Sequence, residues 1–277
     1  MFLPLFQVDA FTDRLFAGNY AAVVLLPQWL DDELLQQIAT ENNLSETAFI
    51  VAKPGAGHFH IRWFSPLTEI DFCGHATLAA AYVLFNHAAA SEFHPAAMPA
   101  QLVFETGKVG TLWVQQTEDG WIQMDFPRRD PRPVHAVPTA LLEGLKMAPR
   151  EVLHSDQAWF AVYDDAATIT ALQPDFSLLK QLAPYDVVAT AAMPIDSASH
   201  IDVVSRYFWP ANGGDEDPVT GSIHAGLTPY WAAKLGKTTL WAQQCSARGG
   251  ELRCELQGER VLVSGQAVLY MAGEIFI

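Results

Sequence analysis

Two short glycine turns hold the residue types best suited to chemistry. Cys73-Gly74-His75-Ala76 lies within DFCGHATLAAAY (71–82), and Asp217-Pro218-Val219-Thr220-Gly221-Ser222 opens DPVTGSIHAGLTPYW (217–231). Glycine lets a backbone approach a ligand closely, and the free N–H groups at a helix start attract a carboxylate. The same dipole favours the thiolate of a cysteine placed there. Each turn also has an ordinary structural explanation: Cys73 as a small buried filler, His75 as a capping residue, and Asp217, Thr220 and Ser222 as N-caps. Glu46 sits in the polar corner Leu44-Ser45-Glu46 ahead of an apolar strand, either as a proton-transfer carboxylate or as a solvated loop residue. Asn19, in AGNYAAVV, has the same two explanations, site residue or turn residue. His58 and His60 have the spacing of a metal pair on a strand, yet no third ligand accompanies them. They read as plain alternation, and no metal is expected.

The elements that must position these groups are related by a repeat. Arg62-Trp63-Phe64-Ser65-Pro66 returns in the second half as Arg206-Tyr207-Phe208-Trp209-Pro210. Cys73 follows Pro66 by seven residues and Thr220 follows Pro210 by ten, which places a three-residue insertion within ANGGDE (211–216). A repeat of such long period predicts two similar half-domains facing each other across a cleft. Two helix starts aimed into one cleft would make a site for a small anion. Thr220 takes the slot of Cys73 and Ser222 that of His75, while Glu46 lies outside the repeated segments.

Apolar runs and alternation predict strands over 2–11, 21–26, 47–51, 58–64, 101–105, 108–115 and 121–126, with helices over 30–41 and 75–86. The second half offers strands near 152–163, 185–192 and 201–208, a helix over 222–235, and strands near 238–244, 250–256 and 260–270. The helix 75–86 is apolar on all sides and is therefore buried. The proline-rich stretch 125–138 is the linker. The fold class that follows is α+β. It has two half-domains, 1–127 and 128–277, each a curved, mainly antiparallel sheet or barrel around a central buried helix. The last strand is a candidate to pack back on the first domain. No dinucleotide fingerprint or P-loop occurs.

Of the 277 residues 50% are hydrophobic, 17% charged and 11% aromatic, which describes a folded globular chain. A formal net charge of −15 argues against nucleic acid or an acidic membrane as partner. Cys73, Cys245 and Cys254 are sparse and odd in number, as suits a reducing cytoplasm, and the last two read as core. Neither a signal peptide nor a membrane span is recognisable, so a soluble cytoplasmic protein is expected.

Taken together, VDAFTDRLFAGNYAAVVLL (8–26), ENNLSETAFI (41–50), RWFSPLTEIDFCGHATLAAAYVL (62–84) and GGDEDPVTGSIHAGLTPYW (213–231) resemble the PhzF family, the phenazine-biosynthesis-like isomerases of the diaminopimelate-epimerase-like fold. The resemblance implies two similar domains with the active site between them, a homodimer, and no cofactor or metal. It implies Glu46 as general acid/base, assisted by His75 and Asp217. Gly74, Gly221 and Ser222 would bind the carboxylate of a small-molecule substrate, with Asn19, Ser45, Cys73 and Thr220 beside them. In the phenazine enzyme of this family the chemistry is a proton shift on dihydro-3-hydroxyanthranilate. The residues agree, since moving a proton between carbons needs one base that abstracts and redelivers.

Two other functions remain open. Related epimerases and racemases use a cysteine at the start of each central helix. Here only the first slot holds one, and the Thr220 hydroxyl is far too weak an acid to replace the second. A non-catalytic protein that holds a small carboxylate would use the same residues.

Overall fold

FLPLFQVDA and NYAAVVLL form β1 (Phe2–Ala10) and β2 (Asn19–Leu26), an antiparallel pair in the computed structural model, which describes residues 1–87, 99–194 and 197–277. Gly18 makes the entry into β2 possible. Its φ is +65°, and a Cβ there would meet the Ala10 carbonyl oxygen at 2.1 Å. The helix α1 (Asp32–Asn42) buries Leu35, Ile38 and Ala39 against Leu3, Leu5 and Phe49. It crosses over to β3 (Glu46–Ala52), which lies parallel to β2. Then β4 (His58–Phe64) and β5 (Glu69–Ile70) continue antiparallel. The apolar helix α2 (Gly74–Asn86) leads to β6 (Gln101–Glu105), parallel to β4. β7 (Thr111–Gln116) and β8 (Ile122–Pro127) follow antiparallel. Every residue of α2 from Gly74 to Leu84 except Tyr82 is buried, and the helix packs on β1, β2, β3 and β7.

The second half repeats this order. After β9 (Arg132–Pro133) and α3 (Thr139–Leu145) come β10 (Glu151–His154) and β11 (Ala158–Val162), again antiparallel. Two short helices, α4 (Ala166–Ala171) and α5 (Phe176–Leu179), cross over to β12 (Asp186–Ala192), parallel to β11. β13 (Val203–Trp209) and β14 (Gly214–Asp217) are antiparallel, and α6 (His224–Leu235) leads to β15 (Thr239–Gln244), parallel to β13. β16 (Gly250–Gln257) and β17 (Arg260–Gly265) come next, and β18 (Ala267–Phe276) pairs along the whole of β1.

The repeated Arg-aromatic-Phe segment has the same job in each copy. Arg62 stacks on Phe64 at 5.1 Å and forks onto Glu69 of β5 at 2.7 and 2.8 Å. Arg206 stacks on Phe208 at 5.0 Å and forks onto Glu216 of β14 at 2.8 Å for both bonds. A planar guanidinium satisfies both geometries at once, which lysine would not. Phe64 pairs with Glu69 and Phe208 with Glu216, so the three extra residues of the second copy lie in the β13–β14 turn.

Proline inside α6 has a specific accommodation. Pro229 cannot donate to the carbonyl of Ala225, and that carbonyl instead accepts the Arg129 N–H at 3.0 Å. The approach is close: a Cβ on Gly226 would lie 2.9 Å from the Arg129 carbonyl oxygen.

The chain divides into Met1–Asp125 with Ser264–Ile277, and Phe126–Val263. Residues from Ser264 onward thus belong to the first unit rather than to a second half running 128–277. The single strand expected over 152–163 is a hairpin, broken where Ser155 Oγ accepts the N–H groups of Gln157 and Ala158. The run 260–270 divides into β17 and β18 at Gln266, whose carbonyl accepts the Thr12 N–H. Cys254 is buried as expected, but Cys245 follows β15 and is only half-buried. No helix among the described residues is long and apolar enough to cross a membrane.

Candidate active site

Glu46 opens β3, and Cys73 and His75 flank Gly74 at the start of α2. Glu46, Cys73, His75 and Asn19 are all buried. Nε2 of His75 lies 2.8 Å from Oε2 of Glu46. It is a charge contact: Oε2 accepts no aligned hydrogen bond among the described residues. On the other side of the ring, Nδ1 lies 3.1 Å from the Asn19 amide nitrogen, and Asn19 Oδ1 accepts the Ser45 hydroxyl at 3.4 Å. The Asn19 amide can turn nitrogen or oxygen towards Nδ1, so it accommodates either charge state of the ring while Nε2–H faces Glu46. Neither turn uses its expected cap. Cys73 is the N-cap of α2 without a side-chain bond, and His75 lies within the helix.

Burial disfavours the imidazolium of His75. The neighbouring Cys73 sulfur and Glu46 carboxylate outweigh that effect and hold its pKa well above the usual value. Burial, reinforced by the Glu46 charge, pushes the Cys73 thiol up to about 11. Cys73 is therefore a thiol at neutral pH, contrary to the activation expected from a helix start. Desolvation and a facing carboxylate exceed the dipole.

The second turn is held from β15. Gln244, fully buried, accepts the Thr220 N–H at 2.9 Å and donates to the Asp217 carbonyl at 2.6 Å. The Asp217 carboxylate accepts the Thr220 hydroxyl. Ile223, not Asp217, Thr220 or Ser222, is the N-cap of α6, so those three are not caps. Ser222 Oγ accepts from Gln157 Nε2 at 2.9 Å, and the same nitrogen reaches the Tyr207 hydroxyl at 3.1 Å. Tyr207 donates to Asp186 Oδ2 at 2.7 Å, and Asn212 donates to Oδ1 at 2.7 Å. Burial raises the Asp186 pKa against these two bonds.

The strand registers overturn one expectation. Glu46 precedes Thr47, which pairs with Phe64, and lies across from Ala21. Asp186 precedes Val187, which pairs with Phe208, and lies across from Ala158. Glu46 is inside the repeat, and Asp186 is its counterpart. Asp and Ser are too short to meet as Glu46 and His75 do, and Tyr207 with Gln157 fills the gap. Sequence reasoning missed Gln157, Asp186, Tyr207, Asn212 and Gln244. Asp186 escapes a count back from the repeated segments, because Glu46 lies 16 residues before Arg62 whereas Asp186 lies 20 before Arg206.

Among the predicted residues, Asn19, Ser45, Glu46, Cys73, Gly74 and His75 come together in the first unit. Asp217, Thr220, Gly221 and Ser222 come together in the second. The profile of the phenazine biosynthesis-like proteins, PhzC–PhzF, matches residues 8–273. An uncharacterized isomerase of Pseudomonas aeruginosa is 50% identical over 277 residues, covering 100% of both chains. A PhzF-family crystal structure from Enterococcus faecalis superposes with a TM-score of 0.90 at 41% identity, covering 100% of both chains. A predicted epimerase of Pseudomonas aeruginosa shares the fold, with a TM-score of 0.69 at 20% identity over 99% of both.

Proposed function

This chain belongs to the phenazine biosynthesis-like (PhzC–PhzF) family and is an isomerase, and we propose that it moves a proton on a small carboxylate-bearing substrate with Glu46 as acid/base. The observation that carries this reading is the buried Glu46 carboxylate, whose Oε2 lies 2.8 Å from His75 Nε2 and accepts no aligned hydrogen bond among the described residues. Such an oxygen is available to take a proton from carbon and return it on the same face. His75, its Nε2–H turned to Glu46, stabilises the carboxylate before the proton is taken and again once it has been returned. Gly74, Gly221 and Ser222 take the substrate carboxylate, with Asn19, Ser45, Cys73 and Thr220 around them and Asp217 assisting the transfer. The Ser222 hydroxyl, its oxygen engaged by Gln157, has its proton left to donate. One base suffices for this shift, so the reaction is read as cofactor-independent.

A thiol-based epimerase is disfavoured by the Cys73 pKa of about 11 and by Thr220 in the second slot. Incubation with cyclic and acyclic amino and hydroxy acids in deuterated water, followed by mass spectrometry, tests the proposal. Exchange on one substrate class that disappears in Glu46→Gln supports it, and undiminished exchange in that variant overturns it. A substrate that binds without exchange would favour a non-catalytic carboxylate-binding protein.

The proposed assembly is a homodimer in the cytoplasm. Tyr270, Met271, Ala272 and Gly273 are exposed on both faces of β18, beside the exposed pair Phe2 and Phe276. Apart from Glu274, this exposed stretch is uncharged, and such surface on a strand calls for a covering partner. Light scattering on the wild type and on Met271→Lys tests it, with a monomeric wild type as the contrary result. The free cysteines suit a reducing compartment.

A further inference from the structure

We propose that Glu46, Cys73 and His75 also bind a borderline-soft divalent cation, zinc above all, and that this ion switches the site off. The carboxylate oxygen, thiol sulfur and imidazole nitrogen lie within 4.8 Å of one another, all three residues are buried, and the trio is the one such group among the described residues. Sulfur, nitrogen and oxygen donors together select zinc over magnesium or calcium. Tetrahedral zinc would hold such donors about 3.3 to 3.6 Å apart. The Cys73 sulfur is 3.8 Å from His75 Nε2 and 3.5 Å from Nδ1, and the Glu46 oxygen is 2.8 Å from Nε2, so the donors stand near that spacing and side-chain rotation would have to open the Glu46–His75 pair.

Three further features favour an ion over a chance cluster. Cys73 and His75 sit on the first turn of one buried helix, and the Cys73 carbonyl is pinned by the Thr77 hydroxyl at 2.6 Å. Asn19 lies 3.1 Å from the outer ring nitrogen of His75 and, with its amide turned so that Oδ1 faces inward, would accept that N–H as outer-shell partners of metal-bound histidines do. The Glu46 Oε2 atom is a buried acceptor without an aligned donor, which an ion would satisfy.

A bound dication would hold Cys73 as thiolate, His75 as neutral imidazole and Glu46 as carboxylate, and the two negative ligands would offset its charge in the buried site. Three protein ligands leave a fourth position for water or a substrate carboxylate. The ion is thus an inhibitor, since it occupies the lone pair with which Glu46 takes a proton and replaces the Nε2–H that His75 turns towards it. That consequence rests on the proposed acid/base role of Glu46, whereas binding itself does not.

Cobalt(II) titration of the full chain, with zinc as competitor, tests the site without any substrate. The expected result is a near-ultraviolet thiolate-to-cobalt band, displaced by one equivalent of zinc. It should vanish in Cys73→Ser and Cys73→Ala and persist in Cys245→Ser. His75→Ala and Glu46→Gln should each weaken affinity at least about tenfold. The proposal is overturned if the wild type gives no band, or if the band survives Cys73→Ser and is lost in Cys245→Ser. A Cys73-dependent band together with full exchange activity in Glu46→Gln would sink the acid/base reading and leave the metal site intact. The reverse pattern would do the opposite.

Discussion

Glu46 and Asp186 occupy one position of a duplicated unit and live in opposite circumstances. Each begins the strand that pairs with the Arg-aromatic-Phe segment, and each faces an alanine on the neighbouring parallel strand. Glu46 Oε2 has no aligned donor among the described residues, whereas both oxygens of Asp186 accept short hydrogen bonds. Duplication supplied two carboxylates, and hydrogen bonding divided their tasks.

Asp186→Asn should therefore leave proton exchange largely in place and cost about 1–3 kcal/mol of stability, because one of its two donors loses its acceptor. Glu46→Gln should do the reverse, losing at least about 100-fold in exchange rate. Denaturant unfolding and exchange kinetics on both variants separate the two. Loss of exchange in Asp186→Asn at unchanged stability would contradict the division.

The two repeated arginines should differ in energetic weight. Arg206 has a side chain only 12% exposed and adds a 2.8 Å bond to the Leu172 carbonyl, while Arg62 is 22% exposed and its second partner, Asp32, is 78% exposed. Arg206→Ala should destabilise by about 3 kcal/mol or more, because it strands Glu216 in a low-dielectric setting. Arg62→Ala should lose about 1 kcal/mol. Equal losses in chemical denaturation would refute this ordering.

His224 predicts an acid-labile step. It is fully buried and burial lowers its pKa from 6.5 to about 4. The unfolded chain binds this proton more readily, so stability is retained above pH 6.5 and lost as pH falls from 6.5 towards 4, by about 3 kcal/mol. His224→Gln should flatten that part of the stability profile in thermal melts across pH. A wild type and variant with parallel profiles would exclude it.

Thiol reactivity should rank by access. Cys245 is half-buried, while Cys73 and Cys254 are buried and pushed up to about 11 and about 12. Iodoacetamide at neutral pH should modify Cys245 first, as peptide mass mapping would report. Cys73→Ala should keep exchange within about tenfold of wild type, a loss well below that of a missing general base.

Much of this was legible in the chain itself. The period of the apolar residues located β4 at 58–64 and placed both buried helices, because α2 carries no acidic or basic residue after His75 and α6, after His224, only Lys234 in its last turn. The repeat located both turns and the extra residues between them. Short elements escaped, although Asp165 and Asp175 cap α4 and α5 by ordinary side-chain bonds. Helices this brief carry too few turns for periodicity to register. The Asp186–Tyr207–Gln157–Ser222 chain escaped for a different reason. Its members come from four separate segments, and only strand register brings them side by side. The direction of the Cys73 pKa shift was misjudged because desolvation is invisible until the neighbours are placed.

The return of β18 to β1 sets an order for synthesis. The first unit contains Ser264–Ile277, so the half that leaves the ribosome first is the half that finishes folding last. Until Ser264–Ile277 are made, the edge of β1 opposite β2 lacks the strand that covers it. The intervening unit, Phe126–Val263, has all its residues earlier and is free to mature while its predecessor waits. A nascent chain stalled before Ser264 would thus hold one completed unit and one open one, and the open one is the unit that carries Glu46.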